Sequence, residues 1–278
     1  MIIPISRSSA RAAREAIAAA AQRSKVGSET SAKWREVWTS KGTRHNLERL
    51  TLLDLLAIDG FDTGGGKMTE SMWFKLNQWA CRKLNLRKGQ TLLEVGCGAG
   101  AFLFPFARKG VAVSGIDYSP TMVEIARLVL PGATVRQAEA NCLPFGECIF
   151  DKIVSMGVFL YFPSWRYTER VLEEMLRVLK PGGKCLIMDI NDRAKRAEAE
   201  DKRKRLIGLR LYRKMYQGLG HMYYERRWFV RFAERRGLSY ELFDQNITDY
   251  GNSDWRFNFC FQKPLAAAAF PALRAAAG

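Results

Sequence analysis

The chain has 278 residues, 47% hydrophobic and 26% charged, with 44 basic against 28 acidic side chains and a net charge of +16. This composition suits one large folded domain and excludes a disordered, collagen-like or disulfide-scaffold protein. The most apolar stretch, Ile153 to Trp165, is too short to span a bilayer.

In chain order, residues 1–29 are rich in Ser, Arg and Ala and poor in acids. They read as a frayed helical, flexible arm or as an organellar targeting segment. Residues 30–88 read as a helical cap carrying Trp34, Trp38, Trp73 and Trp79. A flexible turn is expected at the Gly-Phe-Asp-Thr-Gly-Gly-Gly run of 60–66, and His45 is read as a helix-start residue. From Thr91 the pattern changes to short apolar strands: Thr91–Val95, Val111–Ile116, Ala133–Gln137, Lys152–Ser155 and Lys184–Asp189. Helical patterns fall between several of them, which predicts an α/β fold with a parallel sheet covered on both faces. One such helix carries Val171, Leu172, Met175, Leu176 and Leu179 on one face. Pro181 stops it, and Gly182-Gly183 turns into the next strand.

Residues 191–225 form a basic helical insertion; Arg193 to Arg236 holds 15 basic and five acidic side chains. Gly237 to Lys263 reads as two further strands, including the alternating Trp255, Phe257, Phe259 and Phe261. Residues 264–278 read as an Ala-rich tail, leaving 30–263 as the domain. The six cysteines form no Cys-x-x-Cys pair and have no histidine near them in sequence, so no metal site is expected. Free thiols inside apolar runs point to a reducing, cytoplasmic setting.

The chemistry centres on Leu92-Leu93-Glu94-Val95-Gly96-Cys97-Gly98-Ala99-Gly100, an apolar strand running into a glycine-rich turn. Glycines allow a sharp turn and let a ligand approach the backbone. Asp117 falls at the end of the next strand, where a carboxylate can accept both hydroxyls of a ribose. The run Gly96-x-Gly98-x-x-Ala101 also fits a dinucleotide fingerprint. Glu94 argues against it: a pyrophosphate would sit beside an uncompensated carboxylate, whereas the ammonium of S-adenosylmethionine gains from an acidic neighbour.

Glu94 to Gly100 followed by Asp117 resembles the signature of the class I S-adenosylmethionine-dependent methyltransferases. Three further stretches are similar to that family in order and spacing: Ala138 to Phe145, Phe150 to Met156, and Leu179-Lys180-Pro181-Gly182-Gly183. The resemblance covers Leu92 to Asp189. It implies a Rossmann-like, doubly wound, mostly parallel seven-stranded sheet and S-adenosyl-L-methionine as cofactor. It also implies that Gly96, Cys97, Gly98 and Gly100 line the methionyl part, that Asp117 holds the ribose, and that Tyr118 and Met122 pack near the adenine. Glu139 and the Ala140 N–H would meet adenine polar atoms, while Met156 to Tyr161 would lie beside the reactive methyl.

His221 is the candidate general base, because histidine titrates near neutrality, and Tyr161 and Tyr223 are candidates for orienting an acceptor. The basic insertion is expected as a lid, with the cap tryptophans closing the opposite side. The leading expectation is methyl transfer to a small, possibly anionic molecule. Cyclisation or elimination of the cofactor without an acceptor is the alternative. RNA methylation is a further alternative, weakened because Ser155-Met156-Gly157 stands where a base-methylating Asn-Pro-Pro-Tyr-like motif would be.

Overall fold

The computed structural model describes residues 1–23, 29–42, 46–62, 64–215, 217 and 219–265. Five strands lie parallel: β1 (Thr91–Val95), β2 (Ala112–Asp117), β3 (Thr134–Gln137), β4 (Phe150–Met156) and β5 (Leu179–Asn191). β6 (Ser239–Asp244) and β7 (Arg256–Gln262) complete the sheet, with β7 inserted antiparallel between β5 and β6. The order is β3-β2-β1-β4-β5-β7-β6. The chain leaves β1 toward β2 on one side and later returns to β4 on the other. Their carboxyl ends therefore open a crevice at a topological switch point, the place where α/β sheets hold ligands.

The cap supplies α1 (Arg7–Arg23), α2 (Glu29–Gly42), α3 (Leu52–Ile58) and α4 (Glu70–Leu84). α5 (Phe104–Ala107), α6 (Pro120–Val129) and α7 (Trp165–Val178) follow β1, β2 and β4. The insertion folds as α8 (Arg196–Ile207) and α9 (Leu209–Met215), before α10 (Arg226–Arg235). Adjacent strand residues feed opposite faces. Leu92, Val154 and Leu186 pack with the cap and α6, whereas Leu93, Ile153 and Ile187 pack with α7 and α10. Burial on both faces explains why these strands read as continuous apolar runs.

Several expectations change. The segment read as an arm contains α1, which lies against α6. Ile3, Ala10, Ala13 and Ile17 are buried there, and the Ile3 N–H donates to the Leu50 carbonyl at 2.9 Å. Positions 10, 13 and 17 share one helical face, and alanine permits close helix approach, so a low-complexity composition conceals a real packing stripe. Within the turn expected at 60–66, Gly64–Gly66 forms a single 3-10 turn. Pro181-Gly182-Gly183 is not a turn ahead of the strand. It is a bulge inside β5, where pairing jumps from Phe150–Leu179 to Lys152–Lys184 and Gly182 takes φ +74°.

Phe257, Phe259 and Phe261 pack as the alternation predicts, but Trp255 ends a 3-10 turn before β7. His45 and residues 266–278 lie outside the described residues. Among the described residues, no helix is long and apolar enough to cross a membrane.

Candidate active site

The crevice beyond β1 and β4 is a cleft walled on the cap side by Trp34, Trp38, Phe61 and Trp73. Its floor is the turn after β1. Gly96 and Gly98 have φ of +79° and +51°, and a Cβ on Gly98 would collide with Asp59 Oδ1. Only glycine meets both demands. Glu94, Cys97, Tyr118, Met122, Ala140 and Met156 line the same cleft. Gly100 does not: its α-carbon faces Leu130 and Ala126, so this glycine serves the packing of α6 against the turn.

Three carboxylates converge on the floor. Asp117, at the end of β2, accepts from the Gly98 N–H at 3.0 Å and the Ser119 N–H at 2.8 Å. Burial nevertheless pushes its carboxyl up to about 6, against the pull of those N–H groups. Glu94 is 3% exposed, and its Oε2 has no hydrogen-bond partner among the described residues. Burial, with Asp59 and Asp117 adding repulsion, holds it well above the usual carboxylate range. Asp59, the residue that ends α3, is the third. It accepts from the Ala99 N–H at 2.6 Å and the Ala101 N–H at 3.4 Å, and burial pushes it up to about 7.

At the β3 end of the cleft, both Glu139 oxygens are engaged. Arg35 of α2 donates to Oε1 at 2.7 Å and Tyr167 of α7 donates to Oε2 at 2.9 Å. Arg35 also donates to the Tyr118 carbonyl at 2.7 Å and covers the Tyr118 ring at 4.6 Å. Glu139 is thus first a clasp joining cap, sheet and α7, and a ligand would share it rather than claim it. Asp59, Arg35 and Tyr167 were not singled out from sequence. The one hint, an acid before Gly60 at a helix end, indicates a turn and nothing about a ligand.

The predicted acceptor residues cluster where two cavities meet, Tyr161 on one and His221 and Tyr223 on the other. Tyr161 lines the cleft, with its ring 4.6 Å from Trp34 and 5.4 Å from Trp38. His221 stacks on Trp34, centroids 5.2 Å apart, packs edge-on against Tyr161 at 5.6 Å, and lines a second cavity with Tyr223. Arg196, Arg203, Arg213 and Lys214 make that cavity strongly basic, with Glu200 the one acid among its lining residues. Arg203 Nη1 lies 3.3 Å from His221 Nδ1. Arginine only donates, so Nδ1 must accept and the neutral ring carries its proton on Nε2. Burial, with Arg203 and Arg256 nearby, keeps the His221 pKa well below its ordinary value. The insertion therefore builds a neighbouring chamber rather than lining the cleft.

Comparison with known proteins agrees with this geometry. Residues 93–187 match the model of a family described as a methyltransferase domain. Residues 93–187 thus carry a methyltransferase domain of the class I S-adenosylmethionine-dependent kind. The chain is 33% identical over 117 residues to an uncharacterized methyltransferase of Synechocystis sp., covering 42% of this chain and 55% of the relative. It is 35% identical over 115 residues to the demethylmenaquinone methyltransferase of Tropheryma whipplei, covering 40% and 46%. The methyltransferase match thus spans about half the length of these curated relatives.

The solved structure of the cyclase SpnF superposes with a TM-score of 0.51 at 18% identity, covering 69% of this chain and 81% of that one, which is a likeness of fold alone. S-adenosyl-L-methionine is the cofactor this family implies, and the methyltransferase floor suits it. A buried carboxylate oxygen with no partner among the described residues, an aspartate at the end of β2 and an aromatic wall suit a cationic nucleoside.

Proposed function

We propose that the protein transfers the methyl group of S-adenosyl-L-methionine to a small molecule bearing an anionic group. The observation that carries this reading is the convergence of Glu94 and Asp117 on a glycine turn under an aromatic wall. When bound, the cofactor supplies an electrophilic methyl on a sulfonium. Asp117 is fixed by two N–H groups and keeps lone pairs for ribose hydroxyls. Trp34, Trp38 and Tyr161 exclude water and present ring faces that favour a cation. Gly157 leaves the end of β4 bare, which gives an acceptor room to approach in line.

His221 is not suited to act as a base, because its accepting nitrogen faces Arg203. The acceptor then brings its own lone pair. The basic chamber adjoining the cleft at Trp34 and Tyr161 supports an anionic acceptor, since its cations would hold a carboxylate or phosphate. The same charge supports RNA as a second reading. Labelled cofactor offered to separated metabolite and RNA fractions, followed by mass spectrometry, decides between them. Label in a small anionic product upholds the proposal. Label in RNA replaces the acceptor, and release of methylthioadenosine with no labelled product replaces transfer by elimination.

A further inference from the structure

Resting on the cofactor reading above, we infer that Asp59 is a cofactor-binding residue: together with Glu94 it receives the α-ammonium of the methionyl end. Asp59 comes from the cap, not from the sheet, and its carboxylate lies against Gly98, whose missing Cβ makes the room. Three acids face one end of the cleft, and a ribose accounts for Asp117 alone. Glu94 Oε2 is buried with no partner among the described residues. An unpartnered carboxylate oxygen in a ligand cleft calls for a donor.

Among the described residues no ion pair is formed with Asp59 or Glu94, and Lys41 favours the Asp59 charge only from a distance. Lys41, the nearest candidate in the cap, donates instead to Asp62 at 2.9 Å and to the Ala57 carbonyl at 3.2 Å. The orientation of the ligand follows from donor counting. The Ala99 and Ala101 N–H groups, which would attract the methionyl carboxylate, already donate to Asp59. A sulfonium has no N–H to give. An ammonium has three, enough to meet Glu94 Oε2 and Asp59 together. Asp59 also ties the cap to the floor, so the methionyl end is sensed by α3 as well as by the sheet.

The test compares two ligands on the full chain by isothermal titration calorimetry: S-adenosylhomocysteine, which carries the ammonium, and methylthioadenosine, which lacks it. Asp59→Asn keeps an acceptor for Ala99 but removes the charge. It is expected to weaken S-adenosylhomocysteine at least tenfold while methylthioadenosine changes less than twofold. Asp59→Glu restores the charge and is expected to recover part of the loss. Equal binding of S-adenosylhomocysteine by wild type and Asp59→Asn overturns the inference, as does equal loss of both ligands. Tighter binding by Asp59→Asn also overturns it, since Asp59 would then be an obstacle to the cofactor. If Asp59→Asn does not fold, the same ligand pair on Asp59→Glu and Glu94→Gln gives the ratio, and an unchanged ratio in both is fatal. Wild type binding neither nucleoside would refute the cofactor reading itself, a result distinct from all of these.

Discussion

Replacing Asp59 by asparagine also changes stability in a way that pH exposes. In the folded, ligand-free protein the Asp59 carboxyl titrates near 7 rather than at its ordinary 3.8, chiefly because burial disfavours its charge. A raised acid binds its proton more firmly folded than unfolded. Its contribution to stability is therefore complete below about pH 4 and is lost as pH rises to about 7. That difference is worth about 4 kcal/mol at pH 8. It is a ceiling, because the carboxylate keeps some contact with solvent in the cleft. Asparagine, neutral throughout, escapes the loss. Wild type and Asp59→Asn should melt together near pH 4 and diverge as pH rises, the variant ending higher by on the order of 10 °C at pH 8. Differential scanning calorimetry across that range, without ligand, reads the effect. A difference independent of pH would refute the electrostatic account of the floor.

Asp117→Ala should weaken S-adenosylhomocysteine at least tenfold by calorimetry, since charge-assisted hydrogen bonds to hydroxyls are worth roughly 1.5–3 kcal/mol each. His221→Phe keeps the stack on Trp34 and should lower kcat less than tenfold, where loss of a general base would cost about 10² to 10⁴; a larger fall would restore His221 as the base. Removing residues 1–23 exposes the pocket filled by Ile3 and Ile17, each worth about 1.5–3 kcal/mol, and should lower the denaturation midpoint in urea. An unchanged midpoint would show that α1 contributes nothing.

The strand-turn-aspartate unit from Leu92 to Asp117 was legible because its signals are local: a buried strand, glycines at positive φ, and an acid closing the next strand. The sheet followed from apolar runs that alternate between two cores. Asp59 was not legible, since its meeting with Ala99 spans 40 positions and depends on where α3 ends. The Arg35–Glu139–Tyr167 clasp unites three elements distant in the chain, and no spacing rule announces it. His221 looked like a base because its residue type suits that role. Its partner Arg203, from the insertion, reverses the reading. The α1 stripe was hidden by alanine, which packs well yet reads as low complexity.

The acid floor also bears on turnover. In the reaction proposed above, giving up the methyl turns a sulfonium into a neutral thioether, so the spent nucleoside carries one positive charge fewer than the one that entered. Asp59, Glu94 and Asp117 then repel one another with less to offset them. The site grips the fuel harder than the ash, and the electrostatics that favour loading also hasten release.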